Sequence, residues 1–270
     1  MPLAICATPI GNLADVTLRV LEELGAADLV LCEDTRQTRV LLGRHAVQAQ
    51  SLVSYHRHNE ARRVGEVLPR LVAGERVALV SDAGLPGVND PGARLVRAAL
   101  DAGVTVTVLP GASAVETALV ASGLVGDQYR FLGWLPRRAA ELGALWAELA
   151  SWPHSSVAFE SPQRLGASLA ALAAVAPDRE VAVCRELTKR FEEVVRGRAA
   201  EVASRFEAPV RGEITLVIGP GAAASGSSSE GDALAAVAEL VAAGAPRRLA
   251  ADVVSRLTGV RRNRLYRGSL

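Results

Sequence analysis

The sequence predicts an α/β fold made of two α/β domains, the first on a parallel sheet and the second on a mixed sheet. A small helical, basic C-terminal segment follows them. Three patterns predict it. Short apolar runs alternate with helix-like stretches through the first half, as in strands joined by covering helices. In the second half, strand-like runs follow one another without a helix over 181–197, which an all-parallel sheet does not allow. A Gly- and Ser-rich stretch then gives way to arginine-rich helical sequence. The expected division is 1–118, 119–220, a linker over 221–231, and the helical segment over 232–270.

The elements follow in order. LAICA, DLVLC, SLVS, RVALVS and VTVTVL read as the first strands. Helices are expected over 16–24, 35–44, 60–73 and 91–102. Asp34 and Asn59 are N-cap residue types, and Asp90 with Pro91 reads as a cap followed by the first helical position. Gly103 stands where a helix should end. In the second block YRFLGW, SSVAFES, EVAVCREL, FEEVVRG and GEITLVIG read as strands, and 138–150, 162–175 and 199–206 as helices. Ser161 and Pro162 form a helix start. Helices over 233–243, 247–257 and from Gly259 onward complete the chain. The last two resemble a small helix-turn-helix unit, too small to stand alone and so expected to dock on the body or on a ligand.

Composition narrows the function. Half of the 270 residues are apolar and few are aromatic, which gives a core of Ala, Val and Leu. No apolar run approaches the roughly 18 residues that span a bilayer, so no membrane association is expected. The start MPLAICATPIGNL lacks a basic segment before an apolar one, so a cytoplasmic location is expected. Cys6, Cys32 and Cys184 each close a strand-like run without metal-ligand spacing, so they read as buried apolar groups and no metal is expected. Between Pro246 and Arg267 lie seven arginines and one acid, a local charge of +6 in a chain whose net charge is +1. That imbalance fits a polyanionic partner, or a solvated helix face. Lys189 is the single lysine among 30 basic residues, as if arginine would not serve there.

In a parallel sheet, ligands bind beyond the carboxyl ends of the strands. The unusual loops fall there: ATPIGNL, CEDTR, YHRHNE, SDAGLPGVNDPG and LPGASAV follow the first five strands in turn. The dinucleotide fingerprint, the P-loop and the nucleophile elbow are all missing from the sequence. Flexible backbone with a few carboxylates suits a ligand held largely by main-chain groups. Asp82 reads as a ligand contact or as a turn-stabilising acid. PGASA should present backbone amides at a helix start, where a carboxylate could be met.

Taken together, TPIGNL (8–13), EDTR (33–36), HNE (58–60), SDAG-P-NDPG (81–92), LPGASA (109–114), ESPQR (160–164) and RELTK (185–189) carry a resemblance. In order and over about residues 3 to 219, they resemble the ribosomal small-subunit RNA (cytidine-2′-O)-methyltransferase family, within the tetrapyrrole-methylase-like enzymes. The basic GVRRNRLY resembles that family's C-terminal segment. Leu85 and Ala112 depart from the pattern, standing where Thr and Pro are usual. The resemblance implies S-adenosylmethionine in a cleft between two domains, and a homodimer. It implies methyl transfer to the ribose of a cytidine in 16S rRNA of the small ribosomal subunit. Cofactor contacts are expected from Pro9, Asp82, Ala83, Gly84, Val88, Gly111, Ala112, Ser113, Ala114, Leu135, Phe159, Leu187 and Glu213. RNA contacts are expected from Arg247, Arg248, Arg261, Arg262 and Arg264.

A ribose hydroxyl is a poor nucleophile, so a proton acceptor should stand near it. Glu33, Asp34, Glu60, Asp82, Glu160 and Glu186 are candidates. Asp34, Arg36, Glu60 and Lys189 are taken as the catalytic set. Each has a plainer reading: Asp34 as a cap, Arg36 as its ion-pair partner, Glu60 as a helix-dipole partner, Lys189 as part of a surface KRFEE patch. A His58–Glu60 proton relay is a further option. Two rival functions remain: a tetrapyrrole-type small-molecule methylase, and a non-catalytic RNA-binding assembly factor.

Overall fold

Strands β1 (Leu3–Cys6), β2 (Leu29–Cys32), β3 (Leu52–Ser54), β4 (Val77–Val80) and β5 (Val106–Leu109) form one sheet in the order β3-β2-β4-β1-β5. All its pairings are parallel. The computed structural model describes residues 2–221 and 230–268. Helices α1 (Leu18–Ala26), α2 (Thr35–Arg44), α3 (Glu60–Val72) and α4 (Ala93–Asp101) make the crossovers. The strands alternate their side chains between two cores. Leu3, Ile5, Leu31 and Leu79 meet Val67 and Leu71 of α3 and Leu95 and Ala99 of α4. Ala4, Cys6, Val30 and Cys32 meet Val20 and Leu24 of α1 and Leu42 of α2 on the other face. Covering on both faces explains why β1, β2 and β4 are apolar at every position.

β1 and β4 are neighbours whose following connections leave in opposite directions, which opens a crevice at their carboxyl ends. The loops there are tied together: Thr8 N–H donates to Gly84 O at 2.8 Å and Gly84 N–H to Thr8 O at 3.0 Å.

Helix α5 (Ala114–Ser122) leads into the second sheet, built from β6 (Tyr129–Trp134), β7 (Ser155–Glu160), β8 (Glu180–Arg185), β9 (Glu193–Arg198) and β10 (Ile214–Ile218). Their order is β6-β7-β10-β8-β9, with only β6 and β7 parallel. Val115, Ala118 and Leu119 of α5 pack on Val157, Ala182, Cys184 and Val217. The expected boundary at 118/119 therefore falls inside a helix that packs on the second sheet. Helices α6 (Ala139–Ala150), α7 (Leu165–Val175) and α8 (Ala199–Arg205) cover the opposite face around Trp146 and Phe206.

Helices α9 (Glu230–Ala242), α10 (Arg247–Thr258) and α11 (Arg262–Gly268) share a small core of Ala233, Val237, Ala250, Ala251, Val254 and Leu265. Most of the expected linker lies outside the described residues. No described helix is long and apolar enough to cross a membrane. Cys6, Cys32 and Cys184 are free and buried, and burial pushes the Cys6 thiol up to about 12.

Two expected helix starts and one expected cap near the cavity differ. α4 begins after Gly92, not Asp90, because Gly92 takes the cap position at φ +142°. α7 begins after Arg164, with Ser161 and Pro162 in a preceding turn; Ser161 O accepts from Arg164 and Leu165 N–H. Asn59 holds the cap position of α3 without capping it: its side chain accepts from His56 N–H and donates to Ser54 O.

Candidate active site

The loop after β4 is shaped by backbone that only a few residues tolerate. Gly84, Gly87 and Gly92 have φ of +77°, +89° and +142°, and Asn89 has φ +61°. A Cβ on Gly92 would stand 2.9 Å from Leu79 Cδ2. Glu60 pins the end of the loop, with Oε1 accepting from Gly92 N–H at 3.1 Å and from the buried Tyr55 hydroxyl at 3.0 Å. The Arg57 guanidinium donates to Asn89 O. Across the domain seam, β6 bulges at Gly133, φ +69°, and the Asn89 side chain lies against that glycine.

A cavity of about 630 Å³ opens between this loop and the second sheet. That size suits a small organic ligand. Asp82–Gly84, Val88, Asn89 and Asp90 line one side, with Ile10 and the β5–α5 turn Gly111–Ala114. Phe131, Trp134, Phe159, Leu187 and Glu213 line the other. Phe159 stacks edge-on against Phe131 and Trp134, with centroids at 5.1 and 5.7 Å. Asn89 Nδ2 is buried without a hydrogen-bond partner, and such groups in folded proteins are uncommon.

The acids at this rim differ sharply in environment. Asp34 Oδ1 accepts from Arg36 N–H at 2.8 Å, and Oδ2 takes the guanidinium at 2.8 Å. The hydrogen bonds to Arg36 hold its carboxyl down at about 2. Asp82 accepts from Asp34 N–H at 2.9 Å and from Gln37 Nε2 at 3.2 Å, so it braces the β2 loop rather than its own turn. Burial raises both Asp82 and Glu33. Asp90 is pushed up to about 6 by burial first, then by Glu33, against the opposing pull of Arg57.

Of the expected cofactor contacts, Asp82, Ala83, Gly84, Val88, Gly111, Ala112, Ser113, Ala114, Phe159, Leu187 and Glu213 do line the cavity. Pro9 and Leu135 do not. Pro9 is buried and its neighbour Ile10 faces the cavity instead. Leu135 points into the core under α6 and α7. The expected catalytic set is also dispersed. Arg36 is spent on Asp34, and Glu60 sits behind the β4 loop, bonded to Tyr55 and Gly92 rather than to His58. The His58 ring stands 5.9 Å from that of His56.

Lys189 lies at the domain seam. Its ammonium meets Glu186 Oε1 at 2.9 Å and Glu213 Oε2 at 2.8 Å, not the nearby Glu192 and Glu193. The turn it closes holds Glu186 and Thr188 at positive φ. Asn12 N–H donates to Thr188 Oγ1 at 2.9 Å, and a Cβ on Gly11 would stand 2.5 Å from Lys189 Cγ. Leu85, Asn89, Asp90, Phe131 and Trp134 also line the cavity beyond the expected contacts; of these, Asn89 and Asp90 carried a sequence signal in the NDPG run, and Phe131 and Trp134 carried none. Arg247, Arg248, Arg261, Arg262 and Arg264 all lie on or beside α10 and α11, with Arg262 within 3.4 Å of Asp252.

Residues 2–203 match the model of the tetrapyrrole (corrin/porphyrin) methylases. The chain belongs to this family. Among curated relatives, "Ribosomal RNA small subunit methyltransferase I" of Micromonospora olivasterospora is 45% identical over 98% of this chain and 85% of its own length. The protein of the same name from Mesorhizobium japonicum is 43% identical over 98% and 90%. Among solved structures, the uroporphyrin-III C-methyl transferase of Thermus thermophilus complexed with S-adenyl homocysteine shares the fold at a TM-score of 0.56. It is 20% identical and covers 80% of this chain and 96% of its own. A conserved hypothetical protein of Aeropyrum pernix gives a TM-score of 0.62 at 17% identity, covering 99% and 94%. The two-sheet methylase architecture is thus shared with family members, and the chain is a methyltransferase.

Proposed function

We propose that the chain transfers a methyl group from S-adenosylmethionine to the ribose 2′-hydroxyl of cytidine 1402 in 16S rRNA, on the small ribosomal subunit. The observation that carries this reading is near-full-length similarity to proteins named for small-subunit ribosomal RNA methylation. The arginine-rich helices support it, since phosphate contacts from arginine supply RNA affinity and its salt dependence. A cytoplasmic location follows from that substrate.

The residues present fit the cofactor. The cavity offers small residues at Gly84 and Gly111–Ala112, where a Cβ on Gly111 would stand 2.9 Å from Ala7 Cβ, and an apolar wall at Phe131, Phe159 and Leu187. S-adenosylmethionine supplies an electrophilic methyl on a sulfonium. The start of α5 at Ser113 and Ala114 would hold its carboxylate through backbone amides. Phe131, Phe159 and Leu187 would pack its apolar surface. Asp82, fixed by Asp34 and Gln37, sets the near wall of the cavity. Lys189 keeps Glu213 and the strained 186–189 turn in place at the edge of the cavity. Such fixed positioning can contribute roughly 7–11 kcal/mol to a two-reactant displacement. Val108 on β5 and Trp134 on β6, both exposed on edge strands beside the cavity, support pairing of two copies into a homodimer, which sedimentation would test.

Purified protein with methyl-labelled S-adenosylmethionine and small ribosomal subunits tests the function. The expected product is 2′-O-methylcytidine at one site in the RNA. RNA bound without label would support an assembly factor, and label entering a tetrapyrrole but not RNA a small-molecule methylase. Removing residues 246–270 is expected to weaken RNA binding and flatten its salt dependence while leaving S-adenosylhomocysteine affinity unchanged. A parallel loss of cofactor affinity would make that segment part of the cofactor site.

A further inference from the structure

We infer that Phe191, with the Arg190 guanidinium over its ring, is a stacking platform for a base of the single-stranded RNA beside the target nucleotide. The inference rests on the function proposed above and deepens it by naming a substrate contact outside the cofactor cavity. Phe191 and Arg190 stand in the turn between β8 and β9. The chain has four phenylalanines. Phe131 and Phe159 wall the cavity and Phe206 lies in the core of the second sheet, whereas Phe191 is 66% exposed. It is the one large apolar side chain exposed between residues 176 and 221.

The turn that carries the ring is braced from several sides. Thr188 N–H donates to Glu192 Oε2 at 2.6 Å, and Glu192 N–H to Lys189 O at 3.1 Å. Asn12 N–H of the first domain donates to Thr188 Oγ1, and Lys189 is tied to Glu186 and Glu213. The backbone under the ring is therefore set before a partner arrives, which lowers the ordering cost of a contact. The position is beside the reaction. Leu187, four residues before Phe191, lines the cavity, as do Gly212 and Glu213. The exposed Arg211 adjoins them, its carbonyl accepting from Arg185 Nη1 at 3.2 Å. Charge points to the occupant. Arg185 is paired with Glu193, and Lys189 with Glu186 and Glu213. Among the described residues Arg190 makes no ion pair; its Cζ lies 5.5 Å from the Phe191 ring centroid. A cation free for phosphate beside an aromatic face is the pairing that binds single strands, since every base has a face to stack. A protein partner would need a wider apolar patch, and Phe191 stands alone among polar neighbours. Stacking of this kind supplies affinity and orientation without choosing the base.

The test uses the full-length protein with small ribosomal subunits, comparing the wild type with Phe191→Ala, Phe191→Leu, Phe191→Trp and Arg190→Gln. Phe191→Ala and Phe191→Leu should each weaken subunit binding about 10-fold, and Phe191→Trp should keep wild-type affinity. In single turnovers the half-saturating subunit concentration should rise by the same factor, with a smaller change in the rate at saturation. Arg190→Gln should weaken binding and flatten its log–log salt slope by about 0.7, one single-strand phosphate contact. S-adenosylhomocysteine affinity by calorimetry, melting temperature and sedimentation should match the wild type in all four. Wild-type subunit affinity in Phe191→Ala, or in Phe191→Leu, would overturn the inference, the second because an apolar contact would then suffice. An unchanged salt slope in Arg190→Gln would overturn the part given to Arg190. Slower sedimentation of Phe191→Ala would make the ring a contact between copies and overturn it as well. A wild type that leaves RNA unlabelled would instead overturn the proposed function.

Discussion

The loops after β2 and β4 leave adjacent strands, end at the same rim and both carry aspartates. They use them in opposite ways. In the β2 loop, Asp34 turns its carboxylate onto the Arg36 backbone and guanidinium, and its own N–H onto Asp82. In the β4 loop, Asp90 leaves the following helix to Gly92 and faces a cavity. One carboxyl is held at about 2 and the other is pushed to about 6. The same side chain therefore braces the scaffold in one loop and lines the cavity with a raised pKa in the other. What separates them is the donor each has satisfied and the water each has lost.

The largest effect that can break this contrast is expected at Glu60. Glu60→Ala unpairs the Tyr55 hydroxyl and Gly92 N–H, each costing about 1–3 kcal/mol, and frees the end of the β4 loop. Melting temperature and turnover should fall together. Turnover falling alone would make Glu60 part of the chemistry rather than the support of the β4 loop. Lys189→Arg comes next. A planar guanidinium does not replace a compact ammonium between two carboxylates beside Gly11, so turnover should drop while melting changes little. Unchanged turnover would reduce the seam contact to a surface pairing. The smallest effect belongs to Asp34→Asn, because asparagine also caps helices. The pKa of Asp34 is lowered by folding, so its stabilisation is complete above about 3.8 and is lost as pH falls through about 2. The melting difference from wild type should close across that window; a difference persisting below it would show that the cap bond, not the charge, was lost.

Much of the rim was legible before the structure. Apolar runs of four residues flanked by Gly, Pro and Asp placed the loops at strand ends, and a parallel sheet gathers such ends on one edge. What pattern does not encode is phase within a loop. Asp-Pro-Gly reads as a helix start two residues early, because a glycine at φ +142° can take the cap position as well as an aspartate. The same uncertainty of phase put Pro9 where Ile10 faces the cavity, and Leu135 where the cavity wall is formed by Trp134. Lys189 stood out by composition, but Glu213 lies 24 residues away in sequence and is brought to it only by the pairing of β8 with β10. The tail was expected to dock on the body or on a ligand; its three helices also close on a core of their own, with Ala233, Ala250 and Ala251 allowing close approach.

The contrast between the two loops is tested most directly by carbon-13 NMR titration of the Asp34 and Asp90 carboxyls, measured side by side in the free protein. The Asp34 carboxyl should titrate at about 2 and the Asp90 carboxyl at about 6. Ordinary aspartate titrations at both positions, or a lower one at Asp90 than at Asp34, would contradict the contrast.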